Sequence, residues 1–430
     1  MLDSSDMKVL LQAVTIYHPE SEFHQQNQNI LIEDGAIVYI GPDVKESDQL
    51  ISIDGLCVST GWIDMFAYVG EPGLEYKEDL ETLAAAAAAG GFTEVLCLPN
   101  TNPVVQSKGA VTFVKNKSAQ LPVTLHPAGA VTIDAEGKDL TEMIDLHQAG
   151  AIAFTDGLRA IQGADMVLKA LQYMQIFNGL LMNHPENTRL MDHGQMHEGQ
   201  ASTRLGMKGM PSLAEEVAVT RDIQLLAYTG GKLHFSLLSS AASIEAVRKA
   251  KAEGLQVTCD VASYQASFTD ETIASFDTNF KVNPPFRSVT DVEAIKRGLA
   301  DGTIDVLVSA HIPQDTEAKK LEFDLAEFGI INLETAFAVA NSSLRDTLST
   351  EALVEKFTMN PRRILGLPIP QIAVGETANL TLFHPDQVWT PVIGEFKSKS
   401  DNSPFVGQAL KGKVAGIIHK GQVVLNHSSK

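Results

Sequence analysis

The spacing of apolar and polar positions changes twice along this chain. Over residues 7–60, short β-like runs alternate with turns. Strands are expected at 9–14, 29–33, 36–40 and 49–53, and Asp34-Gly35 is a strong hairpin signal. From residue 61, helix-length segments alternate with short runs of Val, Leu, Ile and Phe. Strands are expected at 63–69, 93–98, 123–129, 151–155, 180–183, 232–237, 256–261 and 304–308. Helices are expected at 77–89, 107–119, 140–149, 164–177, 213–229, 241–252 and 289–300, several of them stopped by Gly90-Gly91, Gly150, Gly230-Gly231 or Gly254. Two more are expected at 333–341 and 351–357. Beyond about residue 370 the β texture returns, at 379–383, 414–419 and 422–425.

Eight β–α alternations in order predict a (β/α)8 TIM barrel over 61–369, in preference to a doubly wound sheet of six or seven strands. The terminal segments, 1–60 and 370–430, predict one composite β-sandwich module beside it. Active sites of such barrels sit at the C-terminal ends of the strands. The first strand here ends in Phe66-Ala67-Tyr68 and Gly70, none of them a metal ligand or a strong base.

Composition narrows the class. Asp and Glu number 53 against 33 Lys and Arg, a net charge of −20. Such a surface repels phosphate backbones and anionic membranes, so neither nucleic acid nor membrane is an expected partner. It leaves an anionic small molecule open, because local pocket charge decides that. No run of about 18 apolar residues is present. Met1 to Asp6 is polar, without the basic start of a secretory leader. Three cysteines, Cys57, Cys97 and Cys259, stand in apolar runs. They are expected as buried thiols in a reducing, cytoplasmic setting.

A set of motifs then stands in order over nearly the whole chain: Gly61-Trp62-Ile63-Asp64-Met65 and Glu71-Pro72-Gly73, Ala89-Gly90-Gly91-Phe92-Thr93, Leu98-Pro99-Asn100-Thr101, Arg204-Leu205-Gly206-Met207, Arg221-Asp222-Ile223, Lys281 to Arg287, Asn332-Leu333-Glu334-Thr335 and Ser403-Pro404-Phe405. Together they resemble the amidohydrolase superfamily, and within it the bacterial dihydroorotases of the type related to the multifunctional animal enzyme. The resemblance implies a barrel with a β module from both termini, and a cyclic amide opened or closed with one or two zinc ions. Catalytic zinc needs about three protein ligands and a water.

Carried over residue by residue, the resemblance finds most of that chemistry replaced. Phe66 and Tyr68 stand where the family has His-x-His, and Gly70 where it has the arginine that clamps the substrate carboxylate. On strand 4, Asp156 keeps one acid, with the ligand slot itself at Asp156 or Gly157. His184 survives on strand 5. On strand 6, His234 is kept but Leu237 takes the ligand position. On the last strand Ala310 replaces the catalytic aspartate and Gln314 the substrate-binding histidine, while His311 remains. No catalytic residue is assigned and no metal or cofactor is expected. General acid–base catalysis alone is worth about 10²–10⁴-fold.

Asn100, Asn283, Phe328 and Gly329 match substrate-contacting positions of the family and, with Asp156, His184 and His311, form the candidate vestigial pocket. The plainer reading of Asn100 and Asn283 is that they hold loops through backbone bonds. His193 and His197 have metal spacing but lie in a glycine-rich loop. His126 is expected at the mouth as a hydrogen-bonded loop histidine, and Asp64 as a backbone-bonding residue of the barrel. Two readings of function follow. One is a non-catalytic dihydroorotase homologue with an assembly or regulatory role, whose partners would be aspartate transcarbamoylase or an active dihydroorotase, and which is itself a homodimer. The other is a cyclic amidohydrolase acting on dihydroorotate or a related ureide with an altered or relocated metal site, its polar cluster being Asp156, His184, His311 and His126.

Overall fold

The structure, a computed structural model, describes residues 7–426; the polar start at 1–6 lies outside the described residues. One eight-stranded sheet is assembled from both ends of the chain. Its order is Gln422–Leu425, Leu410–His419, Leu380–Trp389, Cys57–Thr60, Lys8–Tyr17, Asn27–Glu33 and Ala36–Gly41, with Gln49–Ile51 also paired to Lys8–Tyr17. Asp34 and Gly35 both take positive φ, 53° and 74°, as a type I′ hairpin turn requires. One apolar core of this sheet gathers Val9, Leu11, Ile30, Ile32, Leu380 and Ile418.

Trp62 joins this sheet to the rest of the fold. It is fully buried, and its indole N–H donates to Ser59 Oγ at 2.9 Å. Its ring packs against Phe337, Phe357 and Phe383 at centroid distances of 4.8, 5.6 and 5.4 Å, a large apolar contact at a single position.

Seven parallel strands follow, in two groups. Trp62–Ala67, Phe92–Cys97 and Thr124–Pro127 pair in sequence, and so do Leu181–Asn183, Leu233–Phe235, Val257–Ala262 and Val306–Val308. Between the groups the pairing is carried by single bridges: Gly129 with Phe154, Phe154 with Leu181, and Ala67 with His311. The strand expected at 151–155 is therefore reduced to Phe154. Gly150, at φ 116°, closes the helix Met143–Ala149 just before it. Gly157, at φ 62°, turns the chain away just after. Few residues are left to extend.

Side chains alternate across the strands. Met65, Leu96, Met182, Val306 and Val308 point into one shared core. Val95, Cys97, Leu125, Phe235 and Leu307 pack outward against the helices. The helices Leu213–Thr229, Ala241–Ala252 and Val289–Ala300 have the bounds the sequence predicts. The helix expected from residue 77 starts instead at Leu80, capped by Asp79, whose side chain accepts from Thr82 N. Glu78 is drawn inward to other partners, described below. The three cysteines are buried and free. Among the described residues, no helix is long and apolar enough to cross a membrane.

His126 does not reach the mouth. Its ring is turned away from the mouth, with Nε2 2.7 Å from Glu94 Oε2. Glu94 in turn holds Arg362 at 2.7 Å. His126 stands in register with Leu96, so its imidazole reaches back along the strand to Glu94, two residues earlier. Burial by itself would raise the Glu94 pKa, but the bond from His126 and the charge of Arg362 outweigh it and hold the carboxylate well below its usual range.

Candidate functional site

Four strand-end side chains, Phe66, Tyr68, Leu237 and Ala310, belong to one buried apolar core together with Tyr264 and Phe286. Tyr68 reaches the mouth cleft with its phenol, which burial pushes up to about 12, so it stays neutral near pH 7. The loop ends carry strain. Leu237 has φ 58° and Ala310 φ 48°, a left-handed region that costs a non-glycine residue about 1–2 kcal/mol. Each position is held by a buried acid. Leu237 N–H donates to Asp260 Oδ1 at 2.6 Å, and Asp260 Oδ2 lies 2.8 Å from His234 Nε2. Beside Ala310, Ser309 donates its N–H and its hydroxyl to Asp64 at 2.6 and 2.7 Å. Asp64 is thus the backbone-bonding barrel residue the sequence suggests, and burial raises it to about 6.

The candidate polar residues are dispersed among separate partners. Asp156 is satisfied by structure. Its Oδ1 accepts from Val131 N and Thr132 N, both at 2.9 Å, and its Oδ2 from Thr132 Oγ1 at 2.5 Å. Asn100 ties this turn down by donating to Asp156 O and accepting from Leu158 N, each at 2.9 Å. A Cβ on Gly157 would lie 1.8 Å from Asn100 Oδ1, so position 157 offers no ligand slot.

His184 and Asn283 do come together, through Glu186. His184 Nε2 lies 3.3 Å from Glu186 Oε2, and Asn283 Nδ2 donates to the same oxygen at 2.7 Å. Burial opposes both charges, yet the pair wins: His184 is raised and Glu186 lowered. His311 is separate again. Its Nδ1 faces Asn332 N at 3.2 Å and its Nε2 faces Glu78 Oε2 at 3.4 Å, and Glu78 also accepts from Ser398 Oγ. Gln314 bridges Lys77 Nζ and Phe328 O, each at 2.8 Å. Gly329, at φ 129°, lies against Ile312, where a Cβ would approach to 2.6 Å. His197 is buried against Arg287 at 3.3 Å, and His193 is exposed beside Asp192.

These positions do not fit zinc. Of the four replaced ligand positions, Phe66, Leu237 and Ala310 are hydrocarbon and Tyr68 is a neutral phenol in an apolar setting, and Asp156 already accepts three hydrogen bonds from Val131 and Thr132. Among the described residues no group of three His, Cys, Asp or Glu could hold a metal ion. Nor does the alternative set assemble: Asp156, His184, His311 and His126 each answer to a different partner.

A cleft of about 610 Å³ remains over the mouth, lined by Tyr68, Asn100, Gln314, Lys77 and Arg159 among others. Lys77, Glu78 and Glu186 are the residues that sequence reasoning passed over. Glu186 had a signal, standing two residues after His184. Glu78 and Lys77 had none, because their partners lie more than two hundred positions away.

The family comparisons agree with this architecture. A model described as dihydro-orotase-like matches residues 55–243. The dihydroorotase of Pelotomaculum thermopropionicum is 40% identical over 422 residues, covering 97% of this chain and 99% of that protein. This chain belongs to the dihydroorotase family. Another member, from Geobacter sp. strain M21, is 38% identical over the same coverage. Among solved structures, the L-hydantoinase (dihydropyrimidinase) of Arthrobacter aurescens superposes with a TM-score of 0.86 at 22% identity, covering 98% of this chain and 96% of that one. A D-hydantoinase does so with a TM-score of 0.82 at 20% identity, covering 98% and 95%. These hydantoinases share the mixed α/β fold of this dihydroorotase-family chain.

Proposed function

We propose that this chain is a dihydroorotase-type protein of pyrimidine biosynthesis that no longer uses zinc-dependent hydrolysis and serves an assembly or regulatory role. One observation carries the reading: Phe66, Tyr68, Leu237 and Ala310 share a single buried apolar core where the family's metal ligands and proton shuttle would stand. The inter-strand bridges at Phe154 and at Ala67–His311 support a closed (β/α)8 barrel over 61–369. The terminal sheet is its sandwich-like satellite, built from 1–60 and 370–430.

Assembly needs surfaces. The helix Leu213–Thr229 presents Leu213, Val217, Thr220, Gln224, Ala227 and Tyr228 outward. At 100° per residue these fall in one stripe, and the stripe carries no charge on a chain of net −20. It suits a second copy of the chain, which makes the protein a homodimer. A pyrimidine enzyme, aspartate transcarbamoylase or an active dihydroorotase, is the further partner of this cytoplasmic protein.

The second reading is an active dihydroorotase-type cyclic amidohydrolase with an altered site. Full-length relatives at 36–40% identity that are named dihydroorotase favour it, and the buried His184–Glu186–Asn283 group would be its polar centre. Metal analysis of protein purified without chelators, paired with a dihydroorotate turnover assay, separates the two. The first reading expects sub-stoichiometric zinc and no turnover. One tightly bound zinc per chain with turnover would establish the second.

A further inference from the structure

Away from the mouth, at the N-terminal ends of the strands, lies a second cleft of about 550 Å³. Leu180, Leu255 and Ile364 form an apolar wall, and Lys232, Lys356 and Arg363 stand around it. Lys356 is only 6% exposed. Its ammonium donates to one carbonyl, that of Ile304, at 2.7 Å. It has no carboxylate partner among the described residues, and an ammonium has three protons to place. The one acid lining the cleft, Asp305, is already engaged. Both its oxygens accept from Lys251 Nζ at 2.7 Å, and one also accepts from Cys259 N at 2.9 Å. Lys232 makes no ion pair among the described residues. Among the described residues Arg363 pairs only with Glu20, at 3.2 Å and half in solvent, a contact of little strength.

The cleft is thus locally cationic on a chain of net −20, and it holds a buried ammonium that forms no ion pair among the described residues, the nearby Asp305 being held by Lys251. Burying an unpaired charge is costly, and an anion arriving in the cleft relieves that cost. A dianion matches the surplus of positive groups better than a monoanion. The apolar wall calls for a carbon skeleton, and the volume is that of a small-molecule site. We propose that this cleft binds a small organic phosphate monoester, its phosphate among Lys356, Lys232 and Arg363 and its skeleton against Leu255 and Ile364.

Isothermal titration of the full-length protein with ribose 5-phosphate, inorganic phosphate and succinate tests this. The expected result is saturable one-site binding of ribose 5-phosphate, weakened by added salt and at least about ten-fold tighter than succinate. Lys356→Met weakens it by about ten-fold or more, and Lys232→Gln by several-fold. Arg159→Ala, at the mouth, leaves it unchanged. Lys232 is half-buried and its replacement keeps the test intact if Lys356→Met does not fold. Inorganic phosphate binding as tightly as the sugar phosphate would overturn the role of the apolar wall. Absence of saturation by either phosphate, or binding that both lysine variants leave intact, overturns the site.

Discussion

A Cβ built on Gly70 lies 2.0 Å from the carbonyl oxygen of Leu74. The turn has closed over this position: Gly70 N–H donates to Glu78 O at 2.9 Å, and Leu74 N–H to Gly70 O at 2.7 Å. A single substitution therefore does not fit an arginine at this position. Gly70→Arg is expected to destabilise the protein by more than about 3 kcal/mol, because backbone must move to admit even its first carbon. Urea unfolding at constant m-value measures this; a loss under about 1 kcal/mol would mean that the loop opens freely.

Placing histidine at Phe66 and Tyr68 has a similar limit. Phe66→His/Tyr68→His places two imidazoles into apolar packing shared with Leu237 and Ala310. The surviving positions are engaged elsewhere, Asp156 by Val131 and Thr132 and His184 by Glu186, and two histidines alone do not make a zinc site. The double variant is expected to carry well under one zinc per chain by mass spectrometric metal analysis, and to lose about 2 kcal/mol or more of stability from buried polar nitrogen.

The left-handed turn at Ala310 predicts an asymmetry in tolerance. Ala310→Gly relieves a positive φ and loses one buried methyl, effects of opposite sign, so it is expected to stay within about 1 kcal/mol of the parent. Ala310→Val adds bulk and β-branching to a strained, fully buried position and is expected to cost more than about 3 kcal/mol. Equal effects of the two in thermal unfolding would contradict the strained backbone.

Asp64 gives a pH signature. Its folded pKa, about 6, stands above the unfolded value near 3.9. A raised carboxyl favours the protonated fold, so its contribution is fully present below about pH 4 and is lost as pH rises through 6. The linkage is worth about 2–3 kcal/mol. Asp64→Asn is expected to flatten the stability profile between pH 4 and 7, the gap between variant and parent widening in the variant's favour as pH rises. Unfolding curves at pH 4.5, 5.5 and 7 decide it; a constant gap across that range would be the contrary result.

The uncharged stripe on Leu213–Thr229 predicts that Val217→Glu/Tyr228→Glu yields monomers by light scattering while leaving the far-ultraviolet spectrum unchanged. Both side chains are exposed, at 42% and 79%, so the change acts on association rather than on the core. Dimers persisting in the double variant would remove this face from consideration.

Much of the architecture was legible because it rests on local pattern. Helices with a clear apolar face and a glycine stop, such as Ala241–Ala252 with Glu253-Gly254 behind it, came out at their true bounds. Misreadings arose where a distant partner decided. The helix start moved to Leu80 because Glu78 is claimed by His311 and Ser398. The ring of His126 turns away from the mouth because Glu94, itself paired with Arg362, holds it. At the site, the apolar replacements could be named from resemblance to the family. That Asp156 is consumed by Val131 and Thr132, or that Glu186 gathers His184 and Asn283, is a fact of three dimensions, with no periodicity to announce it.

The sheet shared by the two chain ends has a consequence for synthesis. The strand Cys57–Thr60 leaves the ribosome early, but its antiparallel neighbour, Leu380–Trp389, follows only after about 320 further residues. At elongation speeds of about 5–20 residues per second that is a wait of roughly 15–60 s. Throughout it, one edge of a strand that ends fully buried offers unpaired backbone to whatever passes. The finished molecule hides this edge completely. The nascent one must be shielded, and the interval is set by translation.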